Sequence, residues 1–98
     1  MTIEIKRNAE QTVIELTGRL DTTTAPALDK TISEDVADAK NLVLNMKGLE
    51  YISSAGLRVL LGAQKKLQKV GSMKVTNVRE EVMEVFEMTG FADILTIE

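Results

Sequence analysis

Between Thr2 and Lys6 polar and apolar residues alternate, and after Asn8-Ala9-Glu10 a second, β-branched run follows at Gln11–Thr17. Period-2 alternation on both sides of a short polar turn predicts an antiparallel hairpin. Gly18-Arg19-Leu20-Asp21-Thr22-Thr23-Thr24 then reads as a strand exit rich in small hydroxyl side chains. From Leu28 the period changes: Leu28, Ile32, Val36 and Ala39 recur at spacings of 4, 4 and 3, which predicts a helix over about Ala25–Asp38. Pro26 suits its first turn, with Thr23 or Thr24 near the cap. Asp29, Lys30, Glu34 and Asp35 form its solvated side. Asn41–Met46 is a further strand, apolar at Leu42, Val43 and Leu44, as expected where helices cover both faces of a sheet.

Beyond Ile52 the helical period returns. Wound at 100° per residue, Leu57, Leu60, Leu61, Ala63 and Leu67 share one broad face, and Arg58, Gly62, Lys65 and Lys69 fall opposite. Gly62 stands out, because a glycine on the exposed side of a helix costs about 1 kcal/mol relative to alanine. Either it is merely tolerated, with the lysines placed to favour the helix C-terminus, or it leaves a flat stripe that another backbone can approach. Gly71 is expected as a left-handed stop. Ser72–Thr76 reads as a strand. Asn77 with Glu80 three residues on reads as a capping-box variant for a helix burying Val78, Val82, Val85 and Phe86. Thr89-Gly90 ends that helix, and Ile94–Ile97 is expected as a last short strand. The order hairpin, helix, strand, helix, strand, helix, strand predicts an α/β fold: a mixed, mostly parallel sheet with an N-terminal hairpin and three helices in a single domain over residues 1–98.

Composition narrows the function. The 98 residues contain no cysteine and no histidine, which removes thiolate chemistry, zinc sites and the commonest general base. No Gly-rich phosphate loop and no motif of paired catalytic carboxylates appears either, so the chain is not expected to be an enzyme or to carry a cofactor or metal. A run of 18 apolar residues and a basic-then-apolar leader are both missing. The expectation is a cytoplasmic protein without membrane insertion. Net charge is −3, which argues against nucleic acid as a partner. The charge is uneven. From Tyr51 to Val78 the only ionisable side chains that carry charge are Arg58, Lys65, Lys66, Lys69 and Lys74, a formal +5 that leaves −8 for the remainder. A helix with a basic outer face on an acidic body is expected.

The most informative stretch is Tyr51-Ile52-Ser53-Ser54-Ala55-Gly56-Leu57, where two serines stand at the start of the Leu-rich helix. Serine is a preferred N-cap whatever a protein does. The same position presents unpaired N–H groups and partial positive charge, which favour a phosphate. The order strand, Gly-Leu, aromatic, Ile, Ser-Ser-Ala-Gly-Leu, Leu-rich helix resembles the signature of the STAS domain of bacterial anti-sigma-factor antagonists, usually Asp-Ser-Ser/Thr-Gly-Leu. Gly18-Arg19-Leu20-Asp21 resembles the family's Gly-Glu-Leu-Asp stretch. Ser53 stands where the family commonly has aspartate.

The resemblance implies that Ser54 is the phosphorylated residue, with Ser53 second choice. Together with the outer stripe of the helix at Arg58 and Gly62, it gives an expected partner-binding surface of Asp21, Thr22, Ser53, Ser54, Ala55, Gly56, Arg58 and Gly62. On residues alone, Asp21 reads as a turn or capping residue. The implied function is phosphorylation-controlled partner switching: the unmodified protein binds an anti-sigma serine kinase and frees its sigma factor, phosphorylation ends binding, and a metal-dependent serine phosphatase resets the cycle. The alternative is a constitutive STAS subunit of a transporter or lipid-transfer complex.

Overall fold

A computed structural model describes residues 1–98. Four strands, β1 (Thr2–Arg7), β2 (Thr12–Leu20), β3 (Asn41–Ile52) and β4 (Ser72–Thr76), form one sheet in the order β1-β2-β3-β4. β1 and β2 are the expected antiparallel hairpin, and β2, β3 and β4 run parallel. The parallel connections are made by α1 (Ala25–Lys30) and α2 (Ser54–Val70); α3 (Glu80–Thr89) and a short α4 (Phe91–Ile94) follow. The C-terminal segment contributes one bridge rather than a strand. Ile97 pairs with Val75, and Phe91–Ile94, whose Ile94 was expected to start that strand, is helical.

The helices cover one face of the sheet, not two. Ile14, Leu16, Leu42, Leu44 and Met46 form a single cluster with Leu28, Leu57, Leu60, Leu67, Val82 and Phe86. On the other face Val13, Glu15, Val43 and Asn45 are half-buried and Lys74 is exposed. Val43 misleads a sequence reader because its cover is lateral: Val13 and Lys74 flank it in register. Its apolarity reflects cross-strand packing rather than a second helix layer.

β3 runs six residues beyond the expected end at Met46. Its inward positions are Leu42, Leu44, Met46, Leu49 and Ile52, so the period changes from two to three after Met46. Each three-residue step is a register shift against β2, where Glu15 pairs with Asn45 but Thr17 with Gly48, and Gly18 with Leu49 but Arg19 with Tyr51. An extra residue in one strand restores the inward direction of the next apolar side chain. Gly48 sits at the first shift, where a Cβ would lie 2.8 Å from Thr17 Oγ1.

Three other local expectations change. α1 stops at Lys30 and continues as a π-turn over Thr31–Asp35, closed by Val36 N–H donating to the Thr31 carbonyl at 3.1 Å. The Thr31 hydroxyl donates back to Ala27 O at 3.0 Å, a competitor that loosens helix geometry. Asn77 is not a cap. It takes φ 55° and donates from Nδ2 to Asn45 Oδ1 at 3.1 Å, while Arg79 occupies the cap position of α3. Gly71 is not left-handed either, with φ 174°. Glycine is needed there because a Cβ would land on the Lys40 carbonyl oxygen, which also accepts the Ser72 N–H at 2.8 Å.

On α2 the expected inner face is buried at Leu57, Leu60, Ala63 and Leu67. Leu61 is half-buried, and Gln64 is buried instead. The outer face, Arg58, Gly62, Lys65 and Lys69, is exposed as expected. Two glycines of similar appearance in the sequence therefore differ in consequence. Gly71→Ala should destabilise by several times RT, about 2 kcal/mol or more, because a backbone carbonyl must move. Gly62→Ala meets nothing within 4 Å and should stabilise by up to about 1 kcal/mol. Paired urea titrations measure both, and equal effects would refute the distinction.

Candidate functional site

At the C-terminal ends of β2 and β3, in-register pairing of Leu20 with Ile52 places Asp21 and Ser53 side by side. One hydrogen bond joins the exits, Ser53 N–H donating to the Leu20 carbonyl at 2.9 Å. Only Ser53 separates β3 from α2, so the turn is as short as a strand-to-helix connection can be. Gly56 makes this possible: it is buried, and a Cβ there would lie 2.7 Å from Leu20 Cγ and 2.8 Å from Ile52 Cγ1.

The two serines have different surroundings. Ser53, extended at φ −99° and ψ 175°, is the N-cap of α2; its Oγ accepts the Gly56 N–H at 3.4 Å and its carbonyl accepts the Leu57 N–H at 2.9 Å. Ser and Asp are near-equivalent caps because either supplies the accepting oxygen. That accounts for a serine at a position where the motif usually has aspartate. Ser54 is the first residue of α2 and is exposed, and no hydrogen bond engages its hydroxyl. The first turn contains no acid. The helix start therefore combines a free hydroxyl with unpaired N–H groups and the positive end of the helix dipole.

Asp21 organises the loop beside it. Its Oδ1 accepts from Thr23 N–H at 3.0 Å, the Thr23 hydroxyl at 2.7 Å and Thr24 N–H at 3.2 Å. Thr24 Oγ1 in turn donates to the Arg19 carbonyl and accepts the Asp21 N–H, both at 2.8 Å. The Thr23 hydroxyl is the main cause of an Asp21 pKa held below the ordinary aspartate value; partial desolvation opposes it, and the Thr24 and Thr23 N–H groups reinforce it. Asp21 thus occupies the turn its residue type suggested and also lies beside Ser53. Thr22, next to it, is exposed.

Two residues escaped the sequence reading. The Arg19 guanidinium lies 4.0 Å from the Tyr51 ring centroid, and its Nε is 4.0 Å from Asp21 Oδ2. Arg19 thus links the Asp21 loop to the last turn-proximal residues of β3. The signal was the cross-strand pairing of Arg19 with Tyr51, which the second register shift creates and which spacing does not reveal.

Along α2, Ser54, Arg58 and Gly62 repeat every four residues and are all exposed, continuing through Lys65 and Lys69. Ala55 is half-buried and Gly56 buried, so their part is to seat the helix. The site brings together Asp21, Thr22, Ser53 and Ser54 at the C-terminal end of the sheet and runs a cationic stripe away from them. No group of three or more His, Cys, Asp or Glu residues is arranged to hold a metal ion, and no helix is long and apolar enough to cross a membrane.

Comparison with known proteins gives consistent matches. A family model described as "STAS domain" matches residues 2–98. An anti-sigma-B factor antagonist of Bacillus subtilis is 29% identical over 96 residues, covering 97% of this chain and 88% of that protein. An anti-sigma F factor antagonist of Paenibacillus polymyxa is 31% identical over 98 residues, covering 97% and 84%. Among solved structures, an anti-sigma factor antagonist from Mycobacterium paratuberculosis superposes with a TM-score of 0.88 at 27% identity, covering 98% of this chain and 83% of that one.

Because Asp21 has a folded pKa below its unfolded one, its contribution to stability is complete above the unfolded value and is lost as pH falls through the folded value. Carbon-detected NMR titration should give Asp21 a midpoint below the ordinary aspartate value, and Thr23→Val should raise it. An unchanged midpoint in Thr23→Val would show that the hydroxyl is not the cause.

Proposed function

The chain belongs to the STAS domain family, and from that premise we propose that it is an anti-sigma-factor antagonist switched by phosphorylation of Ser54. Unmodified, it binds an anti-sigma factor that is also a serine kinase, through Asp21, Thr22, Ser53, Ser54 and the outer face of α2 at Arg58 and Gly62. Phosphorylated, it releases that partner, and a metal-dependent serine phosphatase restores the binding form.

The observation that carries this reading is the division of labour between the serines. The Ser53 hydroxyl is engaged as the helix cap, whereas Ser54 offers an exposed, unengaged hydroxyl one residue on. A kinase needs a side chain that it can withdraw from the surface without unwinding the helix. Ser54 meets that requirement, and Ser53 does not.

A phosphate on Ser54 brings roughly −1.5 to −2 charges to the start of α2. There it meets N–H groups and the helix dipole, an interaction of about 0.3–1 kcal/mol. The fold is therefore expected to persist, and the switch acts on the surface: bulk and negative charge enter a patch whose other charges on α2 are cationic. A partner that complements Arg58, Lys65 and Lys69 with acidic groups is repelled by the same phosphate. Gly62 keeps the middle of the stripe flat, with open space around its α-carbon.

Incubation with the cognate kinase and ATP, followed by fragmentation mass spectrometry, should place the phosphate on Ser54; label confined to Ser53 would overturn the assignment. Calorimetric titration of the partner should show binding weakened by at least about tenfold in the phosphorylated protein and in Gly62→Glu. Circular dichroism and melting of both forms should stay close to wild type. Unchanged affinity in both would place the contact elsewhere and favour a constitutive STAS subunit of a transporter or lipid-transfer complex.

A further inference from the structure

The sheet ends on one side at β1, which pairs only with β2. Apart from half-buried Ile3 its residues are exposed, and Ile5, an apolar side chain on the helix-covered face, remains 37% exposed. Such an edge presents N–H and C=O groups ready to pair with another strand.

The hairpin determines which groups those are. Asn8 N–H donates to the Gln11 carbonyl at 3.0 Å, and in an antiparallel ladder the hydrogen-bonded pairs alternate with non-hydrogen-bonded ones. Counting back along the register, Lys6 opposite Val13, Glu4 opposite Glu15 and Thr2 opposite Thr17 are the pairs bonded across the hairpin. The backbone groups of Ile3, Ile5 and Arg7 consequently face outward.

The geometry points to a second copy of this chain as the occupant of the edge, its β1 antiparallel to this one about a twofold axis through Ile5. In that register Ile5 meets Ile5 as a hydrogen-bonded pair, and Ile3 and Arg7 exchange hydrogen bonds with the second copy's Arg7 and Ile3. Glu4 and Lys6 then fall in non-hydrogen-bonded pairs with the second copy's Lys6 and Glu4, where side chains approach most closely. Neighbouring registers fail on charge: an axis through Glu4 sets glutamate against glutamate, and one through Lys6 sets lysine against lysine.

Charges within one protomer favour the same occupant. Glu4 lies directly opposite Glu15, and the only ion pair there joins Lys6 to Glu15 at 3.3 Å. Glu4 is left beside a like charge with no cation of its own, and the second copy's Lys6 supplies one. Arg7 does not obstruct the edge, because its guanidinium is turned to the Asp35 carbonyl and to Asp38 at 3.5 Å. A perpendicular twofold axis keeps both helix layers on one side of a continuous sheet. β2 separates this edge from β3 and the Ser54 helix, so each dimer keeps two partner patches open.

Sedimentation equilibrium of the whole chain from micromolar to millimolar concentration tests the pairing. Wild type should dimerise, and Glu4→Lys and Lys6→Glu should each weaken the dimer by about tenfold or more, since each creates two like-charge contacts. The double variant Glu4→Lys/Lys6→Glu should recover it. Circular dichroism checks that each variant is folded, and amide exchange at Ile3, Ile5 and Arg7 should slow as wild-type concentration rises. A wild type monomeric at millimolar concentration would overturn the inference, even if a strand of some other protein were found on the edge. So would a dimer that the single variants leave intact or that the double variant fails to restore.

Discussion

The short connection between β3 and α2 depends on how closely the helix start approaches the strand ends. Ser53 N–H is tied to the Leu20 carbonyl, and Gly56 rests against Leu20 and Ile52 with no room for a Cβ. Both contacts join the exits of two parallel strands to the first turn of one helix. A methyl group at residue 56 would push that turn outward and lengthen the cap, already 3.4 Å from Ser53 Oγ to the Gly56 nitrogen. The position of Ser54 at the surface is therefore set from beneath, by packing rather than by any contact of its own.

A sheet covered on one side follows from the same economy. Twenty-one buried apolar residues make one cluster between the helices and the inner face of the strands, and a chain this short has little apolar surface left for a second layer. The outer face is instead held by polar contacts on and beside the sheet: Lys6 with Glu15, Arg19 over Tyr51, Asn77 with Asn45, and Arg79 Nε donating to the Lys47 carbonyl at 2.9 Å. Exposed contacts of this kind, the one ion pair included, contribute little each. Their effect is to settle which way the polar face and its edge present themselves.

Electrostatics divides the molecule by region. The acid-free stretch containing α2 lies beside a loop whose one carboxylate, Asp21, is kept ionised by hydroxyl and N–H donors. Under the proposed function, a partner would meet a fixed negative charge at the C-terminal end of the sheet and positive charges along the helix. This dipolar patch gives orientation as well as attraction. The phosphate proposed for Ser54 would fall between the two halves and change that pattern.

The sequence by itself determined the elements whose period is regular and whose ends carry their own chemistry: the hairpin, β4, the outer face of α2 and most of its inner face, the stop at Gly90 and the Ser-Ser cap. These depend on neighbours within a few residues, and local rules capture them. It did not determine the length of β3, because bulges change the period of a strand and only the partner's register shows that Leu49 and Ile52 still point inward. Nor did it tell Gly71, which avoids a distant carbonyl, from a left-handed stop, or Asn77, which bonds Asn45 across the sheet, from a cap. The pairing of Arg19 with Tyr51 was decided by tertiary structure alone, and the nearness of Asp21 to Ser53 was expected from family resemblance and sheet topology, not from local pattern. Residues 21 and 53 meet because parallel strands end together, a relation fixed by the sheet and invisible to any window along the chain.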